Sequence, residues 1–324
     1  MPEITYREAL RQALREEMIR DERVFLIGED LGRNWGGAFQ VTKGLAEEFG
    51  DERVIDAPIS ENSFVGACVG AAITGMKPVG EIMFGDLISL AVDQICNQAA
   101  KMHYMFGGQT SVPMVLRTPF GEFRNMAAQH SQSLEAWFMH TPGLKIAVPA
   151  FASDAKGLLK AAIRDPDPVL FFEHKMLYDK KEEVPTSEYL VEFGQARVRR
   201  EGDDVTVWAT HYMAHKALEA ADELAKEGIS VEVIDPRTLA PLDKGTLIRS
   251  VKKTGRVVLA TEETKTGATT AEVGSIIMEE AFDWLDAPVK RVNAPDTPVP
   301  FSPPLEQHYI PTKAAIAAAA REIV

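Results

Sequence analysis

The strongest constraint on this chain is a rhythm. Short runs rich in Val, Ile, Leu and Phe, at 24–27, 53–55, 78–83, 112–117, 144–148 and 169–172, read as strands. The stretches between them, at 5–21, 42–49, 60–74, 87–106 and 153–164, read as helices. Thr5 and Glu8 have capping-box spacing at one helix start, while Gly50, Gly75 and Gly107-Gly108 stop others. Apolar strands alternating with helices dictate a mainly parallel sheet covered on both faces.

From Lys175 to about Arg200 the rhythm fails, and charges, Pro185 and Gly194 take over. A second α/β unit follows, with strands at 205–209, 231–234, 257–260 and 289–292 and helices at 213–227, 243–253, 271–284 and 312–323. The expected division is a first α/β domain over 1–185, a linker over 186–200 and a second α/β domain over 201–324. A chain of 324 residues is long enough to bury two cores. The Pro-rich stretch 295–304 is expected to be extended and superficial. Gly66, Ala67, Gly70 and Ala71 put small side chains one helical turn apart. They serve either tight packing inside the fold or close contact with another subunit.

The formal net charge of −13 argues against nucleic-acid binding and fits a basic protein partner or simple solubility. Cys68 and Cys96 fall in apolar helical stretches and read as core residues in a reducing cytosol. No apolar run is long enough to cross a bilayer, and the first residues do not form a signal peptide, so a cytoplasmic protein is expected. Gly-x-Gly-x-x-Gly, the P-loop and the Gly-x-Ser-x-Gly elbow are all missing.

Between 56 and 81 the sequence reads DAPISENSFVGACVGAAITGMKPVGE, followed by FGDLISLAVDQICNQAAKMHYMFGG, AAQHSQSLEAWFMHTPGLKIAVP and DAKGLLKAAIRDPDPVLFFEHKMLYD. The second half adds GISVEVIDPRTLAPLD and TGRVVLATEE. In this order, over nearly the whole chain, the segments resemble the β subunit of the thiamine-diphosphate-dependent dehydrogenase component of 2-oxo acid dehydrogenase complexes. YMFGG, FFEHKMLYD and TPVPFSP are most similar to acetoin dehydrogenase β subunits, with pyruvate and branched-chain relatives close.

The resemblance implies a pyrimidine-binding α/β domain and a transketolase C-terminal-like domain. It also implies an α2β2 heterotetramer with thiamine diphosphate between α and β, and docking to a lipoyl acyltransferase core through its subunit-binding domain. The family's magnesium-diphosphate signature begins Gly-Asp-Gly and belongs to the α partner; no Gly-Asp-Gly occurs here. Magnesium is therefore expected to be held by the other polypeptide.

The same resemblance assigns residues. Glu61, at a helix start, matches the carboxyl that exchanges a proton with the cofactor's aminopyrimidine; an acidic residue favoured by the helix dipole is the plainer alternative. His130, in a polar loop, matches an active-site histidine suited to acid–base work; a loop histidine bonded to backbone is its alternative. Met83 matches a position lining the pyrimidine pocket. Leu87 stands where relatives usually carry an aromatic, so it offers an apolar wall instead of a stacking ring. Met114, Ala162, Ile163, Asp165 and Asp167 match a structural potassium site built largely from carbonyls, or else an ordinary helix end before Pro168.

Three rival readings stay open on the sequence. They are a split transketolase-type subunit, a non-catalytic scaffold subunit, and an NAD-linked oxidoreductase suggested only by parallel α/β organisation.

Overall fold

Continuous apolar runs become strands here because β-branched and aromatic side chains fit a pleated surface buried on both sides. The computed structural model describes residues 1–122 and 125–324. The chain begins β1 (Glu3–Thr5), α1 (Tyr6–Arg20), β2 (Val24–Gly28), α2 (Leu45–Phe49), β3 (Val54–Asp56), α3 (Glu61–Ile73) and β4 (Lys77–Glu81). It continues α4 (Ala100–Met105), β5 (Val115–Phe120), α5 (Glu135–Met139), β6 (Lys145–Ala147), α6 (Ala152–Arg164), β7 (Val169–His174) and β8 (Lys181–Glu183). After β9 (Arg197–Arg200) come β10 (Val205–Ala209), α7 (His211–Ala225), β11 (Val231–Asp235), β12 (Thr238–Ala240) and α8 (Lys244–Thr254). Then follow β13 (Val257–Thr264), α9 (Thr269–Ala281), β14 (Lys290–Ala294), α10 (Pro303–Tyr309) and α11 (Lys313–Arg321).

The first sheet runs β12-β6-β7-β5-β4-β2-β3, and every pairing is parallel except that of β12 with β6. The second runs β14-β13-β10-β11-β9, parallel except at β9. This is the expected two-domain, mainly parallel α/β architecture. Alternation along a strand sends neighbours to opposite faces. Phe171 packs with Leu10, Leu14, Leu158 and Leu159 of α1 and α6. Phe172 joins Phe64, Cys68 and Phe138 on the other face, in a core that runs on to Trp208, Leu259 and Ile276 of the second domain.

Several expectations change. Residues 197–200, placed in the linker, form β9 on the edge of the second sheet, where Arg199 bonds to Asp235. Conversely, β12 of the second unit joins the first sheet. The single helix expected over 87–106 is a 3-10 turn at 85–91, a π turn at 93–99 and then α4. A Cβ on Gly85 would lie 2.2 Å from the Phe120 ring, so glycine is required where this segment crosses β5. The small-residue stripe on α3 is not buried within the chain. Ala67 and Gly70 are exposed, and a Cβ on Gly70 would meet nothing within 4 Å.

Candidate active site

In an open parallel sheet the binding crevice lies beyond the carboxyl ends of the strands, where the strand order switches direction. The chain here steps from β2 outward to β3 and returns to β4 on the other side of β2. Glu29 follows β2, Glu61 opens α3 after β3, Met83 and Leu87 follow β4, His130 follows β5 and Lys175 follows β7. Four of the sequence-assigned residues therefore share one edge.

Glu61 is 5% exposed, although Ile59 two residues earlier is 85% exposed. Among the described residues nothing hydrogen-bonds its carboxylate. Glu29 is also buried, and its Oε1 has no partner among the described residues. Burial, then Glu61 and Asp30, push the Glu29 carboxyl up, with the Ser60 amide opposing. Like charge from Glu61 disfavours the ionised form of Glu29, which adds to the effect of burial. A glutamate at a helix start stabilised only by the dipole would stay solvated, whereas Glu61 is buried.

His130 is half-buried. Its ring meets the Phe84 ring edge-on at 4.7 Å, and its backbone N–H donates to Ala127 O at 3.4 Å. Asn125 and Ala127 take left-handed backbone, so this segment turns sharply. Gln132 donates from its backbone N–H (3.2 Å) and side-chain amide (2.8 Å) to Asp86 Oδ1. Met83 and Leu87 are half-buried, and Leu87 packs against the core.

A buried ionic floor holds three strand ends. Arg117 of β5, 2% exposed, donates to both Glu173 oxygens at 2.6 and 2.9 Å and to Glu81 at 2.7 Å. The Tyr178 hydroxyl also donates to Glu173, at 2.7 Å. A fully paired buried network of this kind fixes geometry more than it stabilises. Beside it the domains meet at His174. Met176 N–H donates to His174 Nδ1, which leaves Nε2–H to donate to Glu262 of β13 at 2.8 Å. Burial lowers the His174 pKa. Burial alone would raise Glu262, but His174 and Lys216 hold it at about 2. Glu122, with neither oxygen partnered among the described residues, is pushed up to about 9 by burial, Glu262 and Glu306.

The residues expected to hold potassium lie at the opposite, amino edge of the sheet. Met114 O accepts from Val169 N at 2.9 Å, Ala162 O from Asp165 N at 3.2 Å, and Ile163 O from the Lys77 ammonium at 3.1 Å. Lys145 Nζ contacts both Asp165 oxygens at 2.7 Å and Asp167 at 3.0 Å. Two ammonium groups already supply the positive charge there and would repel another cation. The residues present do not fit potassium, and it enters no step below. Among the described residues, no group of three or more His, Cys, Asp or Glu side chains is arranged to hold a metal.

Sequence reasoning missed Glu29, Asp86, Glu122 and Lys175. For Glu29, Asp86 and Lys175 the motif signal was only adjacency, in Gly28-Glu29-Asp30, Gly85-Asp86-Leu87 and FFEHKMLYD, and Glu122 had none.

Residues 2–181 match the transketolase pyrimidine binding domain, and residues 194–316 the transketolase C-terminal domain. The chain is 48% identical to the 2-oxoisovalerate dehydrogenase β subunit of Bacillus subtilis, covering all of this chain and 99% of that one. It is 46% identical to the β subunit of the acetoin:2,6-dichlorophenolindophenol oxidoreductase of the same organism, over 99% and 97%. It is also 46% identical to the pyruvate dehydrogenase E1 component β subunit of Rickettsia felis, over 99% and 98%. Among solved structures it resembles a split-gene transketolase in an inactive β4 tetramer, with a TM-score of 0.81 and 27% identity over 99% and 98% of the two chains. The fold, the shared carboxyl-edge site and these full-length likenesses agree: this chain belongs to the β subunits of thiamine-diphosphate-dependent 2-oxo acid and acetoin dehydrogenases.

Proposed function

We propose that this chain supplies the pyrimidine half of an active site completed by an α subunit in an α2β2 heterotetramer, which passes an acyl group from a 2-oxo acid or acetoin to lipoyl groups. The observation that carries the reading is Glu61, buried and without a hydrogen-bond partner among the described residues, beside the open surface at Ile59. Bound thiamine diphosphate would supply the electron sink for cleavage next to a carbonyl. Glu61 would exchange the proton with the aminopyrimidine, Met83 and Leu87 would form the apolar wall, and His130 would act as acid or base toward the substrate. Magnesium would come with the α subunit.

The exposed small-residue face of α3 suits close approach by a second backbone. In the second domain a mostly apolar cavity of about 720 Å³, lined by Met278, Phe282, Leu285, Asp286 and Arg291, is a candidate dock for the subunit-binding domain of the acyltransferase core, through apolar contact rather than charge. Among the described residues no helix is long and apolar enough to cross a membrane, and both cysteines are free; a cytoplasmic site of action agrees with both facts. The similarity to a split-gene transketolase keeps a transketolase-type subunit as the second reading. Donor and acceptor screening of the assembled enzyme separates the two.

Glu61→Gln tests the proposal. Glutamine keeps size and hydrogen bonding but cannot trade a proton at neutral pH. Turnover of the assembled variant is expected to fall by about 10²–10⁴. Hydrogen–deuterium exchange at the reactive carbon of the cofactor should slow in parallel, because that step precedes substrate. Normal turnover with normal exchange would return Glu61 to a helix-start role.

A further inference from the structure

His130 sits on a segment with no strand or helix of its own, so something else must fix its ring. Lys175, directly after β7, is 2% exposed, and its ammonium donates to the His130 carbonyl. The same ammonium lies 5.6 Å over the Phe84 ring, the ring that meets His130 edge-on. Two residues on, Gln132 is held twice by Asp86 Oδ1. Asp86 is 5% exposed, and its Oδ2 has no partner among the described residues. The segment is thus held at two points by opposite charges from the neighbouring strand ends.

A backbone carbonyl needs no full charge to satisfy it, and burying an ammonium is costly. Burial pushes Lys175 down to about 8, against the attraction of Asp86, Glu262, Glu122 and Glu306. Those carboxyls come from every neighbouring quarter: after β4, after β5, on β13 and on α10. His174 alongside adds a buried imidazole. We infer that Lys175 is a positioning residue for His130: with Asp86 acting through Gln132, its ammonium holds the His130 peptide and so sets where the imidazole stands at the carboxyl edge. This rests on the catalytic reading of His130 given above.

The test uses the assembled α2β2 enzyme with Lys175→Met, Lys175→Arg, His130→Ala and the Met/Ala double variant. Lys175→Met should lower kcat by about 10- to 100-fold, the scale of a misplaced catalytic group. Cofactor exchange, which depends on Glu61, should stay at the parent rate. Added to His130→Ala, Lys175→Met should cost nothing further, because both act through one ring. Lys175→Arg keeps charge and donors; it should recover most turnover and move the alkaline limb of the kcat profile upward. Parent-like turnover in Lys175→Met, with His130→Ala impaired, overturns the inference. Parent-like turnover in His130→Ala overturns the reading of His130 instead. If the Met variant does not assemble, an unmoved alkaline limb in Lys175→Arg decides against it.

Discussion

Glu61 shows what a residue's environment adds to its identity. In the sequence it is one acidic residue at a helix start, and only the surrounding motif suggested chemistry. Its burial near Glu29, whose carboxyl is raised by burial and by Glu61, is what the local sequence did not announce. Lys175 and Asp86 were not legible in this way. Their meaning comes from contacts to His130 and Gln132, 45 and 46 positions away, and nothing local announces such pairs. Leu87 sits between these cases. It was singled out as a missing aromatic, and it is half-buried against the core with its remaining face open. Leu87→Phe is expected to tighten cofactor binding to the assembled enzyme by about 0.5–1.5 kcal/mol, the worth of one aromatic pair. Titration calorimetry checks this, and weaker binding would mean the side chain points away from the pyrimidine.

At the scale of elements, the sequence carried well the strands with apolar runs, β2, β7 and β10, whereas β5, expected at 112–117, lies at 115–120 with Arg117 inside it, and β13 runs on from its expected end at 260 to Thr264. The three-residue β1, β8 and β12 are too short to show a period. The stretch 87–106 has the apolar content of a helix, yet content does not separate i+3, i+4 and i+5 hydrogen bonding. The junction between the sheets was invisible as well, and it makes a prediction about pH. Glu122 ionises at about 9 in the fold against 4.5 ordinarily. The folded state therefore holds the extra proton between those values, and stability contributed at low pH is lost as pH rises through that window. Glu122→Gln removes the titration. Its melting temperature should gain on the parent steadily from pH 5.5 to pH 8.5. A difference that stays constant across that range would mean Glu122 is already ionised.

At the scale of the whole molecule, the sheet topology puts Glu29, Glu61, Met83, Leu87, His130 and Lys175 at one carboxyl edge of the first sheet, within the residues that match the pyrimidine binding domain. What that edge lacks, among the described residues, is any carboxylate cluster arranged for a divalent metal, and the chain carries no Gly-Asp-Gly signature. The net charge of −13 adds to the difficulty of holding a diphosphate unaided. On the proposed function, this chain is therefore half of a site. The most direct test is calorimetric titration of thiamine diphosphate, with magnesium, into the folded chain alone and into the chain assembled with its α subunit. The chain alone should give no resolvable binding, and the assembly should bind in a magnesium-dependent manner. Magnesium-dependent binding by the isolated chain, as tight as by the assembly, would contradict it.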